Sequence, residues 1–140
     1  YGAMMAGVSP ELTDRIADFG ESIGIAFQLS DDLLDIESEI SGKSPGTDLR
    51  EGIRTLPVLF ALADSTLPAR LRELLSRPLP NDAEHAEALA ALRVHPAMDQ
   101  AREVLEQWAE RARERLTALP DCDAKTAMHS LVDSVAYRKV

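Results

Sequence analysis

The sequence is short of several things, and each shortage excludes something. It holds one cysteine, Cys122, in 140 residues. No intramolecular disulfide can form, and this usage fits a reducing cytoplasm. Aromatic residues make up only 4% of the chain, and no strand-like alternation of apolar and polar residues appears. No apolar run approaches the roughly 20 residues that a membrane-spanning helix needs, and nothing resembles a signal peptide. Positive charge is scarce as well: 15 Lys and Arg stand against 24 Asp and Glu, a formal net charge of −9. Nucleic-acid phosphates and anionic membranes would be repelled by such a surface. Internal repeats and low-complexity tracts are lacking too.

What remains is helical material. Hydrophobic residues form 45% of the sequence, with Ala and Leu plentiful, a bias towards helix with enough apolar mass for one core. The sequence opens at Tyr1 without an initiator Met, and Tyr1–Gly7 reads as the end of a helix closed by Gly7. The expectation is a chain that begins inside a larger protein. Ser9-Pro10-Glu11 starts a long helix, with Ser9 as cap and Pro10 in the first turn. Its apolar residues recur at Leu12, Ile16, Phe19 and Ile23, and the pattern runs to about Ile36. Gly20 and Gly24 share a face of this helix, at a cost of roughly 1 kcal/mol each, so close approach of another helix is expected there.

Residues 41–54 read as a loop. Thr55 caps a following helix whose expected apolar face is Leu56, Leu59, Phe60 and Ala63. Further helices are predicted from Pro68 to Leu75, from Asp82 to Val94, from Pro96 to Pro120, and over a last stretch bearing Ala124, Met128, Leu131 and Val135. The helix after Pro96 carries Met98, Ala101, Leu105, Trp108, Ala112 and Leu116 on one stripe. Arg111, Arg113 and Arg115 share no helix face and read as solvated surface; His85, His95 and His129 share no metal-ligand spacing and read as surface or core. The fold class is all-α, and residues 1–140 show no internal domain boundary.

The chemistry concentrates between Gly24 and Pro57. At 100° per residue, Gln28, Asp31, Asp32 and Asp35 fall within one arc of about 100°. The remaining faces carry Ile25, Phe27, Leu33, Leu34 and Ile36. Carboxylates crowded on a helix this apolar repel one another unless a cation neutralises them. A hard divalent ion with oxygen ligands answers that need, and Mg²⁺ fits best when a phosphate adds further oxygens. Taken alone, Asp-Asp-x-x-Asp also fits a solvated acidic face.

The surrounding residues are more specific. They run Gly24-Ile25-Ala26-Phe27-Gln28-Leu29-Ser30-Asp31-Asp32-Leu33-Leu34-Asp35, then Gly42-Lys43-Ser44-Pro45-Gly46-Thr47-Asp48-Leu49-Arg50-Glu51-Gly52, then Thr55-Leu56-Pro57. This block resembles the second aspartate-rich motif of the trans-isoprenyl diphosphate synthases, the polyprenyl synthetase family. Gly2-Ala3 with Ala6-Gly7 resemble the preceding family helix, and Leu131 to Arg138 the C-terminal one.

The resemblance implies an antiparallel helix bundle of the isoprenoid synthase type, of which this chain is the C-terminal part. It implies a Mg²⁺-dependent prenyltransferase that condenses an allylic diphosphate with isopentenyl diphosphate, in a cytoplasmic homodimer. Asp31 would bind metal directly, and Asp32 and Asp35 directly or through metal-bound water. Gln28 would face the reacting centre, and Phe27 would line the hydrocarbon side or pack in the core. Lys43 would reach the allylic diphosphate, or else be a surface lysine. Asp48 would fix the loop. Where many members carry lysine after the glycine corresponding to Gly52, this chain has Ile53 and then Arg54; Arg54 takes over the phosphate contact, or the contact is absent.

The family's first aspartate-rich motif and its basic isopentenyl-diphosphate segment are not in the sequence. The 140-residue chain alone is therefore expected to be inactive without a missing N-terminal half. The alternative is a noncatalytic helical subunit or binding module of a heteromeric prenyl synthase. A purely structural helical module fits less well with the intact acid set. Terpene cyclases share the helical fold, but mix Asn, Ser or Thr, and Glu in their second metal motif, which Asp31-Asp32-x-x-Asp35 does not match.

Overall fold

The structure, a computed structural model, describes residues 1–38 and 45–138. Among the described residues every regular element is a helix: α1 (Gly2–Met5), α2 (Pro10–Glu37), α3 (Thr47–Glu51), α4 (Leu56–Ala63), α5 (Ala69–Leu75), α6 (Asp82–Arg93), α7 (Ala97–Leu116) and α8 (Asp123–Ala136). The all-α expectation is met. The helices form two compact units, one of residues 1–30 and 104–139, the other essentially of residues 31–103. Helices α2 and α7 each contribute to both.

In the first unit the start of α2 is fixed as expected, with Ser9 Oγ accepting from the amide of Leu12 at 3.3 Å. Gly7 follows α1 at a φ of 69°. The core joins Phe19 of α2 to Ala109, Ala112 and Leu116 of α7 and Val132 of α8. The two alanines let the helices close on Phe19 with little side-chain bulk between them. The apolar stripe of α7 therefore passes through Ala109 rather than Trp108, which is half-buried with the Arg111 guanidinium 5.0 Å above its ring. On α8 the inward residues are Val132 and Val135, while Leu131 is exposed.

The arginines of α7 are less solvated than expected. Arg113 pairs with Glu106 at 2.9 Å, Glu110 at 3.1 Å and Asp133 at 3.0 Å, and so ties α7 to α8. Its guanidinium also lies 5.8 Å from the centre of the Tyr137 ring. Arg115 lies 3.5 Å from Asp18 of α2. The close helix approach expected at Gly20 and Gly24 is not found among the described residues. A Cβ added at either would meet no atom within 4 Å, because both positions face outward on α2.

In the second unit α6 is the central element and packs on α3, α4 and α5. It begins where Asn81 accepts from the amides of Ala83 and Glu84 at 2.9 and 3.1 Å, satisfying donors that the first helical turn leaves open. Ala88, Leu89 and Leu92 of α6 are buried, as are Leu71, Leu74 and Leu75 of α5. Helix α4 buries Pro57, Val58 and Ala61 and leaves Leu59 exposed, a rotation away from the expected face. The sequence Leu-Pro-Val-Leu-Phe-Ala-Leu-Ala is apolar all round, so periodicity could not choose its buried side. Arg72 closes this helix by donating to the carbonyls of Leu62 and Asp64 at 2.7 and 2.6 Å.

The C-terminal end of α2 is held in the same way. Arg93 of α6 donates from Nε to the Ile36 carbonyl at 2.7 Å and from Nη2 to the Ser38 carbonyl at 3.1 Å. Ile36 itself is fully covered. Arg93 thus fixes where the acidic helix stops. We expect Arg93→Met to cost about 1.5–3 kcal/mol, the scale for hydrogen bonds from a charged donor, and Arg93→Lys to recover only part of it because a point charge cannot reproduce the fork. Urea unfolding of the three proteins checks this; a loss within about 0.5 kcal/mol for the Met variant would show that the contacts do not hold the helix end.

Candidate functional site

The acidic end of α2 lies in the second unit. Leu33 and Ile36 are buried, and this pair turns Asp31 and Asp35, one helical turn apart, to the opposite side. Asp32 stands on the flank. All three carboxylate residues are half-buried, partly covered yet open on one side.

Asp35 does more than face outward. Its Oδ1 accepts from the amide of Thr47 and its Oδ2 from the amide of Asp48, both at 3.1 Å. Its carbonyl accepts from the amide of Gly46 at 2.7 Å. These amides are the opening of α3, a helix inside the stretch whose composition reads as loop. The residue before α3 is Gly46, at a φ of 71°, and so no side chain of its own caps the helix. The cap comes instead from Asp35, across the chain. Carboxylate at a helix N-terminus satisfies open donors and is favoured by the helix dipole. Each oxygen of Asp35 keeps a further lone pair for a ligand.

The far end of α3 is equally constrained. Gly52 sits at a φ of 77°, and a Cβ there would come within 2.9 Å of Pro78 N. The Leu79 amide donates to the Arg50 carbonyl at 2.9 Å and the Ile53 amide to the Asp48 carbonyl at 2.8 Å. Arg50 reaches Asp82 at 2.8 Å. Behind the turn, buried His85 of α6 stands with Nε2 2.8 Å from the Gly46 carbonyl and Nδ1 3.4 Å from Arg50 Nη2. Sequence spacing gave no sign of this histidine's place, since its partner lies 39 residues away.

The other expected site residues are dispersed. Lys43 lies outside the described residues. Arg54 is exposed after α3, as is Ile53. Phe27 and Gln28 lie on the part of α2 that belongs to the first unit, and both are exposed. The Arg138 guanidinium is 5.2 Å from the centre of the Phe27 ring, so Phe27 is not a core residue of this chain. Among the described residues, no three acidic, histidine or cysteine side chains converge closely enough to hold a metal ion.

Electrostatically, the site is strained in one direction. The Asp48 carboxyl is raised above its ordinary value, first by burial and then by the charges of Asp35, Asp32 and Glu51. Carboxylates crowded in this way, with hard oxygen donors and one open side, fit a divalent cation that completes its shell from water or phosphate. The crowding also has a stability consequence. A carboxyl whose folded value is raised holds its proton more tightly in the fold, so stability is greatest below the unfolded value and falls as pH rises through the raised one. Asp48→Asn should therefore raise the melting temperature at neutral pH without metal, with the gain fading below about pH 4. Thermal unfolding across that range in chelator tests it; a gain that persists unchanged in acid would assign the effect to something other than charge.

The chain is similar in sequence and fold to other proteins. The sequence profile described as Polyprenyl synthetase matches residues 1–92. A nonaprenyl diphosphate synthase of Mycobacterium tuberculosis is 47% identical over 98% of this chain, which spans 42% of that protein. A geranylgeranyl pyrophosphate synthase of Corynebacterium glutamicum, solved with calcium and isoprenyl diphosphate, superposes with a TM-score of 0.88 at 38% identity, covering 98% of this chain and 43% of its own. A polyprenyl synthase of Caulobacter crescentus, also solved with calcium and isoprenyl diphosphate, gives 0.88 at 32% identity, covering 99% and 44%. The chain thus spans less than half the length of these relatives. From Tyr1 through the acid site into α6, the matched residues carry one conclusion: the chain belongs to the polyprenyl synthetase family.

Proposed function

We propose that this chain supplies the second metal- and diphosphate-binding wall of a prenyltransferase that lengthens an allylic diphosphate with isopentenyl diphosphate. The observation that carries the reading is the crowding of Asp32, Asp35, Asp48 and Glu51, where burial first and then these like charges push the Asp48 carboxyl up. Such a cluster is adapted to a cation bound together with an anion. Two superposing relatives were solved with a divalent ion and an isoprenyl diphosphate, which supports that pairing here.

The chemistry is an ionisation followed by addition. The allylic C–O bond breaks and diphosphate leaves with the electron pair. The double bond of isopentenyl diphosphate attacks the cation, and a proton is lost to restore an alkene. Magnesium, when bound, neutralises charge developing on the departing diphosphate. Asp31 and Asp32 would hold it directly or through water, with Asp35 sharing its free lone pairs. Lys43 would contact the allylic diphosphate as a point charge, and Arg54 would supply the donors that Ile53 cannot. Gln28 and Phe27 would line the reacting centre and the hydrocarbon path. The same resemblance extends the proposal to a cytoplasmic homodimer. No described helix is long and apolar enough to cross a membrane.

Two outcomes test the reading. In the complete enzyme, Asp31→Ala should lower turnover on the order of 10²–10³ fold, the scale of deleting one electrostatic stabiliser, while the unfolding midpoint moves little. Near-normal turnover would remove Asp31 from the principal ligands. The 140-residue chain alone should release no diphosphate from an allylic substrate with isopentenyl diphosphate, and should gain that activity only when the rest of the enzyme is supplied. One acidic wall cannot clamp the leaving group from both sides, and an open face admits water to quench a carbocation. Mg²⁺-dependent turnover by the isolated chain would overturn the division of labour.

A further inference from the structure

We infer that His85 is a positioning residue for the acid site, acting through the Gly46 carbonyl to hold the opening of α3 against Asp35. The inference rests on the proposed function for its kinetic meaning, and on geometry for its substance.

The tautomer of His85 follows from its two partners. A carbonyl oxygen can only accept, so Nε2, 2.8 Å from Gly46 O, carries the hydrogen and donates. A guanidinium can only donate, so Nδ1, 3.4 Å from Arg50 Nη2, accepts. The ring is therefore neutral, with its one proton aimed at the turn. It is 6% exposed, so water does not compete for that bond. The Arg50 that orients it is anchored in turn by Asp82, the first residue of α6, at 2.8 Å.

On the other side of the same peptide stretch lies the acid motif. Gly46 donates its amide to the Asp35 carbonyl, and the next two amides go to the Asp35 carboxylate. Gly46 is consequently gripped from both faces, by α2 through its N–H and by His85 through its C=O. The fit is tight: a Cβ at Gly46 would stand 2.8 Å from His85 Nε2 and 3.0 Å from Leu89 Cδ1. Loss of the imidazole would leave the carbonyl held by the Arg50 amide alone, at 2.9 Å, and loosen the amides that orient Asp35. Outer partners of this kind aim a ligand without touching what it binds. An isolated core histidine would satisfy its own polar atoms; this one instead completes a chain from α6 to the carboxylate that α2 presents.

The test uses the complete enzyme with His85→Leu, His85→Gln and, as a control for loss of α6 packing alone, Leu92→Ala. Glutamine keeps an amide N–H at the place of Nε2, whereas leucine keeps only bulk. Hydrogen exchange read by mass spectrometry over residues 46–50 should lose protection in His85→Leu and regain most of it in His85→Gln. The Mg²⁺ concentration for half-maximal rate should rise about tenfold in the Leu variant, with the Michaelis constant for isopentenyl diphosphate unchanged, and should fall back in the Gln variant. Unchanged exchange in His85→Leu, absence of rescue by glutamine, or an equal Mg²⁺ shift in Leu92→Ala would each overturn the inference. Absence of prenyl transfer in the unmodified enzyme would refute the proposed function instead, and the exchange experiment would still decide the role of His85.

Discussion

The carboxylate of Asp35 joins two pieces of chain that would otherwise be independent. It ends one helix's acidic face and begins another helix, since the amides of Thr47 and Asp48 both donate to it. A five-residue helix preceded by glycine has no means of its own to satisfy its first donors. With Asp35 in place, α3 forms, Leu49 is buried beneath it, and Arg50 is directed towards α6. The chain then returns through Gly52 against Pro78. The local order of the acid site depends on this one acceptor.

That dependence gives the three aspartates unequal work. Asp31 stands on the same face as Asp35 but one turn earlier, and Asp32 on the flank. Asp35 already spends a lone pair of each oxygen on a backbone amide. A carboxylate oriented by two amides is a poorer free ligand and a better fixed one, because the entropy of ordering it is met by the fold. The aspartate pattern therefore combines Asp31 and Asp32, whose proposed task is to hold a cation, with Asp35, which fixes the opening of α3.

Much of this was legible in the sequence, for reasons that separate local from tertiary signals. Ser9 and Pro10 announce α2, because a cap acts within three residues. The aspartate motif with its flanking glycines and Thr-Leu-Pro pointed to the family on order and spacing. Helix α3 was hidden, since five residues hold no period and its cap comes from Asp35, twelve positions earlier. The buried side of α4 was hidden because every side of it is apolar. On α7, Ala109 replaced Trp108 in the core because the small residue, not the large one, lets α2 approach. Arg113 and His85 looked ordinary in sequence; their partners are twenty and thirty-nine residues away.

The distribution of charge makes the last point. Elsewhere in the chain acids are matched with arginines: Glu73, Glu84 and Glu87 with Arg70, Glu106, Glu110 and Asp133 with Arg113. At Asp48 the balance is different. The charges that move its carboxyl belong to Asp35, Asp32 and Glu51, all of its own sign, and burial adds to their effect. A surface pair contributes little to stability, so the fold gains little from the arginines it places; burying Asp48 beside charges of its own sign has a cost, because it opposes its ionisation. Any cation that binds there gains that cost back as affinity, because it stabilises the folded arrangement that the carboxylates alone oppose. The repulsion at Asp48 is thus the electrostatic ground on which the proposed metal-diphosphate site rests.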